Sequence, residues 1–154
     1  MIIATATALD VDGLISVENT CFTTDQLHRR NFMHLLKSKA ALVLAAKAQN
    51  TVIGSAVVFY RKHSKTARLY SLAVHPDHRK HGVALALMQT LEMDALRHGC
   101  TRMKLEVRCD NARAIGFYER GGYLKTGEIS GFYEDGQTAW CMEKPLKTNE
   151  TAAS

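Results

Sequence analysis

The chain has 154 residues, 46% of them hydrophobic, and its 20 lysines and arginines against 15 acidic residues give a formal charge of +5. This length and composition predict one domain with a single core, and no apolar run approaches the roughly 20 residues of a transmembrane helix. We therefore expect a soluble protein whose positive charge suits RNA, an acidic protein or a phosphate-rich cofactor.

The first ten residues contain no lysine or arginine and no small-residue cleavage site, so a signal peptide is not predicted. Aromatic residues make up 7% of the chain and do not alternate with a basic stripe, which argues against a nucleic-acid partner. The cysteines form no Cys-x-x-Cys pair, so a zinc ribbon or a dithiol motif is excluded. We expect reduced thiols, a cytoplasmic location and no membrane partner.

The first third of the chain predicts a strand and two helices. Residues 2–8 form an apolar run typical of a strand, and Asp10 or Asp12 can then cap a first helix. Thr24 precedes a segment with apolar residues at helical spacing, so a second helix is predicted to begin directly after Thr24. The apolar positions of that segment are Leu27, Phe32, Leu35 and Leu36.

The middle of the chain predicts a hairpin, a third strand and a long helix. Two apolar strands are joined by a tight polar turn at residues 49–50. A third strand over residues 67–75 ends at Pro76, because proline cannot donate a hydrogen bond to a neighbouring strand. Apolar residues then recur at helical spacing from Val83, and the helix is predicted to end at Gly99.

The last third predicts a strand over residues 101–108, a short helix over residues 111–120, and final strands over residues 123–130 and 138–146. Asp110 and Asn111 are typical capping residues for the short helix. The tail over residues 147–154 has no apolar surface to bury and is predicted to be disordered.

The order of these elements predicts a mixed α/β sheet covered by helices, within a single domain over residues 1–146. The strands at residues 67–75 and 101–108 are joined by the long helix, so they should be parallel through a right-handed crossover. This crossover brings the end of a strand, a basic turn and the N-terminus of a helix together.

The basic turn is the strongest candidate for a binding site. It runs from Arg79 to Ala84 with the sequence RKHGVA and leads directly into the long helix. A helix N-terminus presents unpaired N–H donors, and Gly82 lets the backbone approach an anion closely. We predict a phosphate site, with a solvated basic turn as the alternative.

Other ligands fit this turn less well. It lacks the Gly-Lys-Ser/Thr of a Walker loop and the three glycines of a dinucleotide fingerprint. The spacing of His75, His78 and His81 suggests a metal, but a cation would face Arg79 and Lys80 in the same turn. No metal is therefore predicted.

Two residues are candidates for proton transfer. Glu106 lies in the middle of a predicted strand, where it is either a general base or one charge in a ladder with Lys104 and Arg108. Tyr118 lies on the short helix and is either a proton donor or a packed core tyrosine. Cys109 could be a nucleophile, but no histidine can be placed beside it as a base.

The segments LYSLAVHPDHRKHGVALALM and LEVRCDNARAIGFYERGGY closely resemble the GNAT superfamily of N-acetyltransferases, most closely the bacterial ribosomal-protein alanine N-acetyltransferases of the RimI-like type. The resemblance covers about residues 1–146. It implies the GNAT fold, which has a mostly antiparallel central sheet, a splayed parallel strand pair and four helices. It also implies that acetyl-CoA is the co-substrate.

The resemblance implies the site residues one by one. Arg79, Gly82 and Ala84 match the pyrophosphate turn of the family, although Lys80-His81 replaces its usual Arg-Gly. The cofactor-binding residues it implies are Leu72, Ala73, Val74, Arg79, Lys80, His81, Gly82, Val83, Ala84, Leu85, Asn111 and Tyr118. It further implies that Glu106 accepts a proton, directly or through water, and that Tyr118 donates one.

The acceptor is expected to be a primary amine, in particular the N-terminal amine of a protein such as a ribosomal protein. We expect the first two helices and the loop over residues 130–137 to line its pocket, with Phe132, Tyr133, Glu134 and Asp135 engaging the acceptor. Small-molecule or lysine amines are the alternative acceptors. A catalytically silent acyl-CoA sensor or partner-binding module is the alternative of another class.

Overall fold

The structure is a computed structural model that describes residues 1–147. Within that range seven strands and four α-helices follow one another in the predicted order. Their bounds are β1 Ile2–Thr5, α1 Val11–Cys21, α2 Arg29–Lys37, β2 Ala41–Ala48, β3 Thr51–Phe59, β4 Thr66–Val74, α3 Val83–Arg97, β5 Arg102–Arg108, α4 Ala112–Arg120, β6 Leu124–Ile129 and β7 Ala139–Pro145. Apart from its first residue, the predicted tail over residues 147–154 lies outside the described residues.

The strands form one sheet in the order β1-β2-β3-β4-β5-β7-β6. Every neighbouring pair is antiparallel except β4 with β5, which are parallel and are connected through α3. The predicted mixed sheet with one parallel pair is confirmed. A parallel pair requires a long connection, and α3 supplies it.

The helices cover the two faces of the sheet and create two apolar cores. On the first face, α1 and α2 pack through Leu14 and Phe32 against Val57 of β3. On the second face, α3 and α4 cover a larger cluster that includes Leu87 and Leu105. We call these the α1–α2 face and the α3–α4 face. Burying each such side chain stabilises the fold by about 1.5–3 kcal/mol.

The predicted hairpin turn at residues 49–50 is confirmed. Gln49 has a φ of 52° and Asn50 a φ of 65°. Two consecutive residues with positive φ are typical of a type I′ turn, whose twist matches that of the flanking strands. This turn fixes the register of β2 and β3.

The predicted first strand is wrong in its last residues, because β1 ends at Thr5. The Thr7 N–H donates to the Asp10 carboxylate at 2.8 Å, and the Thr7 hydroxyl accepts the Leu9 N–H at 3.3 Å. These bonds form a capping box, which turns the chain into a short 3₁₀ helix and then into α1.

The predicted start of the second helix is also wrong, because α2 begins at Arg29 rather than directly after Thr24. Asp25 has a φ of 55°, which a continuing helix does not allow. The Leu27 N–H donates to the carboxylate of Glu18 in α1 at 2.9 Å instead of to its own helix. Residues 22–28 therefore form a loop held by a tertiary contact.

The later elements agree with the prediction within one or two residues. Helix α3 begins at Val83, and Gly99 follows its end with a φ of 81°. Asn111 caps α4, since its side-chain oxygen accepts the Ala114 N–H at 3.1 Å. The core-facing and outward-facing residues of β5 alternate, as is typical of a strand with one face on the core.

Candidate active site

Strands β4 and β5 separate halfway along their length. Their pairing runs from Thr66 opposite Arg102 to Leu69 opposite Leu105 and then ends. Tyr70 is an extra residue in β4 at this point, because Val58 pairs with Leu69 and Val57 with Ser71. We call the opening between residues 70–74 of β4 and residues 106–108 of β5 the strand gap.

The backbone of β4 presents hydrogen-bonding groups to the strand gap. The His75 N–H donates to the Ile53 carbonyl of β3 at 2.8 Å. Because alternate residues of an antiparallel pair bond to the partner strand, Leu72 and Val74 direct their N–H and C=O groups away from β3. They therefore face the gap, whereas Ala73 directs its N–H and C=O groups to Ser55 of β3.

The N-terminus of α3 lies at the end of the same strand and has free donors. No side chain within residues 1–147 caps it, no acidic residue lies in its first turn, and its first intrahelical bond runs from Ala86 to Gly82. The N–H groups of Val83, Ala84 and Leu85 therefore have no helical partner. This is the geometry of an anion site at the positive end of a 15-residue helix.

Two residues of the basic turn are in the left-handed region. Gly82 has a φ of 78° and Lys80 a φ of 69°. The turn therefore holds Lys80, a residue with a Cβ, in the left-handed region at a cost of about 1–2 kcal/mol. A Cβ built on Gly82 would meet nothing within 4 Å, so the space above this residue is open.

Arg79 holds the turn against the end of β4. Its Nε donates to the Val74 carbonyl at 3.1 Å, and its guanidinium lies 3.7 Å from the Cys21 sulfur of α1. The side chains of Lys80 and His81 are exposed, and Lys80 adds a positive charge to the turn. The sequence did not indicate Cys21, whose thiol also donates to the Val74 carbonyl at 3.3 Å.

Glu106 lies at the entrance to the strand gap on the α1–α2 face. Its Oε2 accepts a hydrogen bond from Arg68 Nε at 3.1 Å, and its side chain is 15% exposed. The alternative in which Glu106 pairs with Lys104 or Arg108 is therefore wrong, because its partner is Arg68. Arg68 pairs with Lys104 in the parallel register, which brings its side chain diagonally beside Glu106.

The loop between β6 and β7 folds over this entrance and is fixed by Arg108. The guanidinium of Arg108 bonds to Asp135 at 2.7 Å and to Asp110 at 3.1 Å, and it lies 5.1 Å from the centre of the Tyr133 ring. Its hydrogen bonds lower the pKa of both carboxyls. From the opposite side, the Asp25 carboxylate accepts the Glu134 N–H at 3.3 Å.

The loop brings Tyr133 close to both proton-transfer candidates. Burial raises the pKa of Tyr133 to about 12, and the neighbouring Glu106 carboxylate adds to the rise. Burial also raises the pKa of Tyr118, and Tyr133 contributes to that rise as well. Phe132 packs edge-on against Tyr133 at 5.0 Å, while Glu134 is exposed.

Tyr118 is packed as a core tyrosine, but its hydroxyl is not used by the fold. Its ring lies 5.4 Å from that of Phe117 and 5.8 Å from that of Tyr123. Among residues 1–147, none forms a hydrogen bond with the hydroxyl. Tyr118 also lines a groove of about 460 Å³ between α3 and α4, together with Leu85 of the first turn of α3.

Cys109 and His75 form local hydrogen bonds. The Cys109 thiol donates to the side-chain oxygen of Gln137 at 3.2 Å and forms no hydrogen bond with a histidine within the described range. His75 Nδ1 accepts the Asp77 N–H at 3.1 Å, and no set of three metal-ligating side chains occurs among residues 1–147. In the same range, no helix is both long enough and apolar enough to cross a bilayer.

Comparisons with known proteins agree with this geometry. The model of the acetyltransferase (GNAT) family matches residues 11–123. An acetyltransferase of Yersinia pestis, strain Pestoides F, is 40% identical over 82 residues, which are 53% of this chain and 57% of that protein. The match thus spans little more than half the length of that relative.

Solved structures share the fold over nearly the whole chain. The ribosomal-protein-S18-alanine N-acetyltransferase of Escherichia coli is 23% identical with a TM-score of 0.84, covering 96% of this chain and 94% of its own. Ard1 of Thermoplasma volcanium is 25% identical with a TM-score of 0.85, covering 96% and 98%. The PaiA N-acetyltransferase of Thermoplasma acidophilum, solved with coenzyme A, is 17% identical with a TM-score of 0.80, covering 94% and 98%.

Proposed function

The chain belongs to the acetyltransferase (GNAT) family, and from this membership we propose that it transfers the acetyl group of acetyl-CoA to a primary amine. The observation that carries the proposal is the strand gap, which connects an uncapped helix N-terminus to a carboxylate. A long, anionic co-substrate with a reactive thioester at its end fits such a path. Acyl transfer to an amine is the reaction that the carboxylate would assist.

We propose that the α3 N-terminus binds the pyrophosphate of acetyl-CoA. Its free donors are the N–H groups of residues 82–85, and around them Lys80 adds a positive charge and His81 an exposed imidazole. Arg79 acts by holding the turn in position, because its Nε is already bonded to Val74. The gap-facing backbone of Leu72 and the N–H of Val74 would bind the pantetheine arm and the acetyl carbonyl, since Arg79 and Cys21 already use the Val74 carbonyl. Asn111, whose side-chain nitrogen is left free by the cap, would contact the same arm.

Glu106 is the proposed base. A primary amine with a reference pKa of about 8–10 is largely an ammonium ion at neutral pH and has no lone pair for attack. Arg68 occupies Oε2 of Glu106, and among residues 1–147 none bonds to Oε1. We propose that Oε1 takes the proton, directly or through a water molecule.

Tyr118 is the proposed partner of the departing thiolate. Attack creates an oxyanion, which the Val74 N–H in the gap would stabilise. Because burial raises the pKa of Tyr118, its hydroxyl stays protonated and is a donor at neutral pH. The reference pKa of a thiol is about 8.5, so Tyr118 would stabilise the thiolate mainly by donating a hydrogen bond.

The proposed acceptor is the N-terminal amine of a protein, of the ribosomal-protein alanine type. The support is the fold shared with the alanine N-acetyltransferase of Escherichia coli and the aromatic loop above Glu106. Small-molecule amines remain the second candidate, because nourseothricin and aminoglycoside 6′-N-acetyltransferases have the same fold. The free thiols of all four cysteines support a cytoplasmic location, and we propose one domain over residues 1–146.

The first test measures ligand binding. We expect CoA and acetyl-CoA at about 100 times their Kd to stabilise the fold by about 2.7 kcal/mol, which raises Tm by about 5–10 °C. ATP and NAD at equal concentration should give no comparable shift, since they lack the pantetheine arm that fills the strand gap. Equal shifts with ATP would contradict the assignment of the gap.

The second test measures turnover. Release of CoA thiol is followed with acetyl-CoA against N-terminal peptides, free lysine, polyamines and aminoglycosides. If the proposed function is correct, CoA thiol should be released fastest with the N-terminal peptides. Binding of acetyl-CoA without turnover on any amine would favour the acyl-CoA sensor instead.

Replacing Tyr118 with Phe separates catalysis from folding. Removing a hydrogen bond to a charged group is expected to lower kcat about 10- to 100-fold, while stability stays nearly unchanged because the fold does not use this hydroxyl. Tyr123→Phe is the matched control, since the Tyr123 hydroxyl donates to Glu92 at 2.7 Å. That variant should lose stability and keep its kcat, as measured by denaturant unfolding and steady-state kinetics. If Tyr118→Phe instead lost stability and kept its kcat, Tyr118 would have only a structural role.

A further inference from the structure

A second groove lies on the α1–α2 face, between α2 and the strands β3 and β4. Its volume is about 340 Å³. Its polar side is formed by Arg30, Asn31 and His34 of α2, and its floor by Phe59 and Tyr70. We call it the α2 groove. None of these residues takes part in the acetyl transfer proposed above.

The polar side of the α2 groove can receive an anion. Arg30 and His34 are four residues apart on α2 and therefore share one side of the helix. Neither forms an ion pair with any of the described residues, and the groove has no acidic lining residue among them. The Asn31 side-chain oxygen accepts the His28 N–H at 2.9 Å, which fixes the side chain and leaves its NH₂ group free to donate.

The floor of the α2 groove leads to the proposed base. The rings of Phe59 and Tyr70 are stacked with their centres 4.5 Å apart. The Arg68 guanidinium lies 5.6 Å from the centre of the Tyr70 ring, and its Nε bonds to Glu106 at 3.1 Å. The groove and the reaction centre are therefore connected by contacts along one face of the sheet.

We propose that the α2 groove binds an acidic side chain of a peptide acceptor whose N-terminal amine lies at Glu106. This inference rests on the proposed function and adds a preference among peptides. A carboxylate matches the planar guanidinium of Arg30, which can donate two parallel hydrogen bonds. The stacked floor supplies apolar surface on which the intervening residues of an extended peptide can pack. The groove is open to solvent, so the chain of a peptide can continue beyond it.

The test compares two peptides that differ only in charge. One carries Asp or Glu at its second, third and fourth positions, and the other carries Asn or Gln there. We expect the acidic peptide to have a kcat/KM about 5- to 30-fold higher at low ionic strength, with a smaller ratio at higher salt. Binding of both peptides in the presence of CoA is measured by calorimetry as well, so the comparison does not depend on turnover.

Variants of α2 test whether the preference for the acidic peptide arises in the α2 groove. Arg30→Ala should bring the ratio between the acidic and the neutral peptide close to one, and His34→Ala should lower it partly. Arg29→Ala is the control, because Arg29 is on the same helix, carries the same charge and is paired with Asp12 outside the groove. It should keep the wild-type ratio.

Three results would overturn the proposal. Equal kcat/KM and equal affinity for the two peptides in the wild-type protein would remove the preference itself. An equal decrease of the ratio between the acidic and the neutral peptide in Arg29→Ala and Arg30→Ala would assign the preference to net charge rather than to the groove. A stronger preference for free acidic amines than for acidic peptides would assign the groove to small molecules. If the proposed function itself is wrong, no CoA thiol is released with any amine acceptor. This outcome is therefore distinguishable from the three results above.

Discussion

Replacing Glu106 with Gln is expected to lower kcat by about 10²- to 10⁴-fold, the range for the loss of a general base. Glutamine keeps the size and shape of the side chain but cannot take a proton from an ammonium ion. Affinity for acetyl-CoA should stay within a few-fold, because the phosphate donors of the α3 N-terminus are untouched. Steady-state kinetics with a peptide acceptor and calorimetry with CoA give the two numbers.

The pH profile of Glu106→Gln distinguishes a base from a structural charge. Raising the pH converts more of the acceptor into the neutral amine, which needs no base, so the variant should recover part of its rate. The pair with Arg68 is partly exposed and contributes about 0.2–1 kcal/mol of stability, so the fold should survive. A loss of rate that is the same at every pH would indicate that Glu106 acts only in binding.

Glu143→Gln is the matched control for this experiment. Glu143 lies on the same face of the sheet, opposite Lys104, and bonds to Arg102 at 3.3 Å, but it is away from the strand gap. The variant therefore removes one carboxylate from an equivalent arginine pair. It should keep the wild-type kcat and pH profile. If Glu106→Gln also kept the wild-type kcat and pH profile, Glu106 would have only a structural role in its pair with Arg68.

Elements whose signal is local could be predicted from the sequence. Helix α3 shows its apolar periodicity over four turns, and its start at Val83 and its end before Gly99 follow from chemistry within a few residues of each boundary. The left-handed turn at residues 49–50 depends only on those two residues. The order of the elements then limits the topology to a sheet with one parallel pair.

Features set by contacts between distant segments could not be predicted. The helix expected after Thr24 begins at Arg29, because Asp25 bonds to the loop between β6 and β7 and Leu27 bonds to Glu18. Helical spacing of apolar residues carries no information about such contacts. Tertiary interactions override a weak local preference in this loop.

The partner of Glu106 was missed for a similar reason. Alternation along β5 places Glu106 on the correct face, but it does not give the register between β4 and β5. That register selects Arg68, which is 38 residues away, over the two nearest charges along the strand. Arg108 is near Glu106 in sequence, but its partner Asp135 lies on a loop whose path the sequence does not specify.

Replacing Gly82 with Val is expected to weaken CoA binding by about 10- to 100-fold, the cost of losing one hydrogen bond to a charged group at about 1.5–3 kcal/mol. A Cβ at this position would project into the open space above the free donors, where the pyrophosphate has to approach. The left-handed φ of 78° also makes any side chain unfavourable here. A cost to folding of about 1–2 kcal/mol is therefore expected as well.

Gly99→Val separates these two effects. Gly99 lies at the other end of α3 with a φ of 81°, and a Cβ built there also meets nothing within 4 Å. Its variant should lose about as much stability as Gly82→Val, as measured by denaturant unfolding, while its Kd for CoA in calorimetry stays within two-fold of the wild type. Gly82→Ala gives the same comparison with a milder cost if the valine variant folds poorly. Because backbone strain is common to both positions, a loss of CoA affinity confined to position 82 assigns the phosphate site to the α3 N-terminus. An unchanged CoA affinity in Gly82→Val would mean that the phosphates bind elsewhere on the protein.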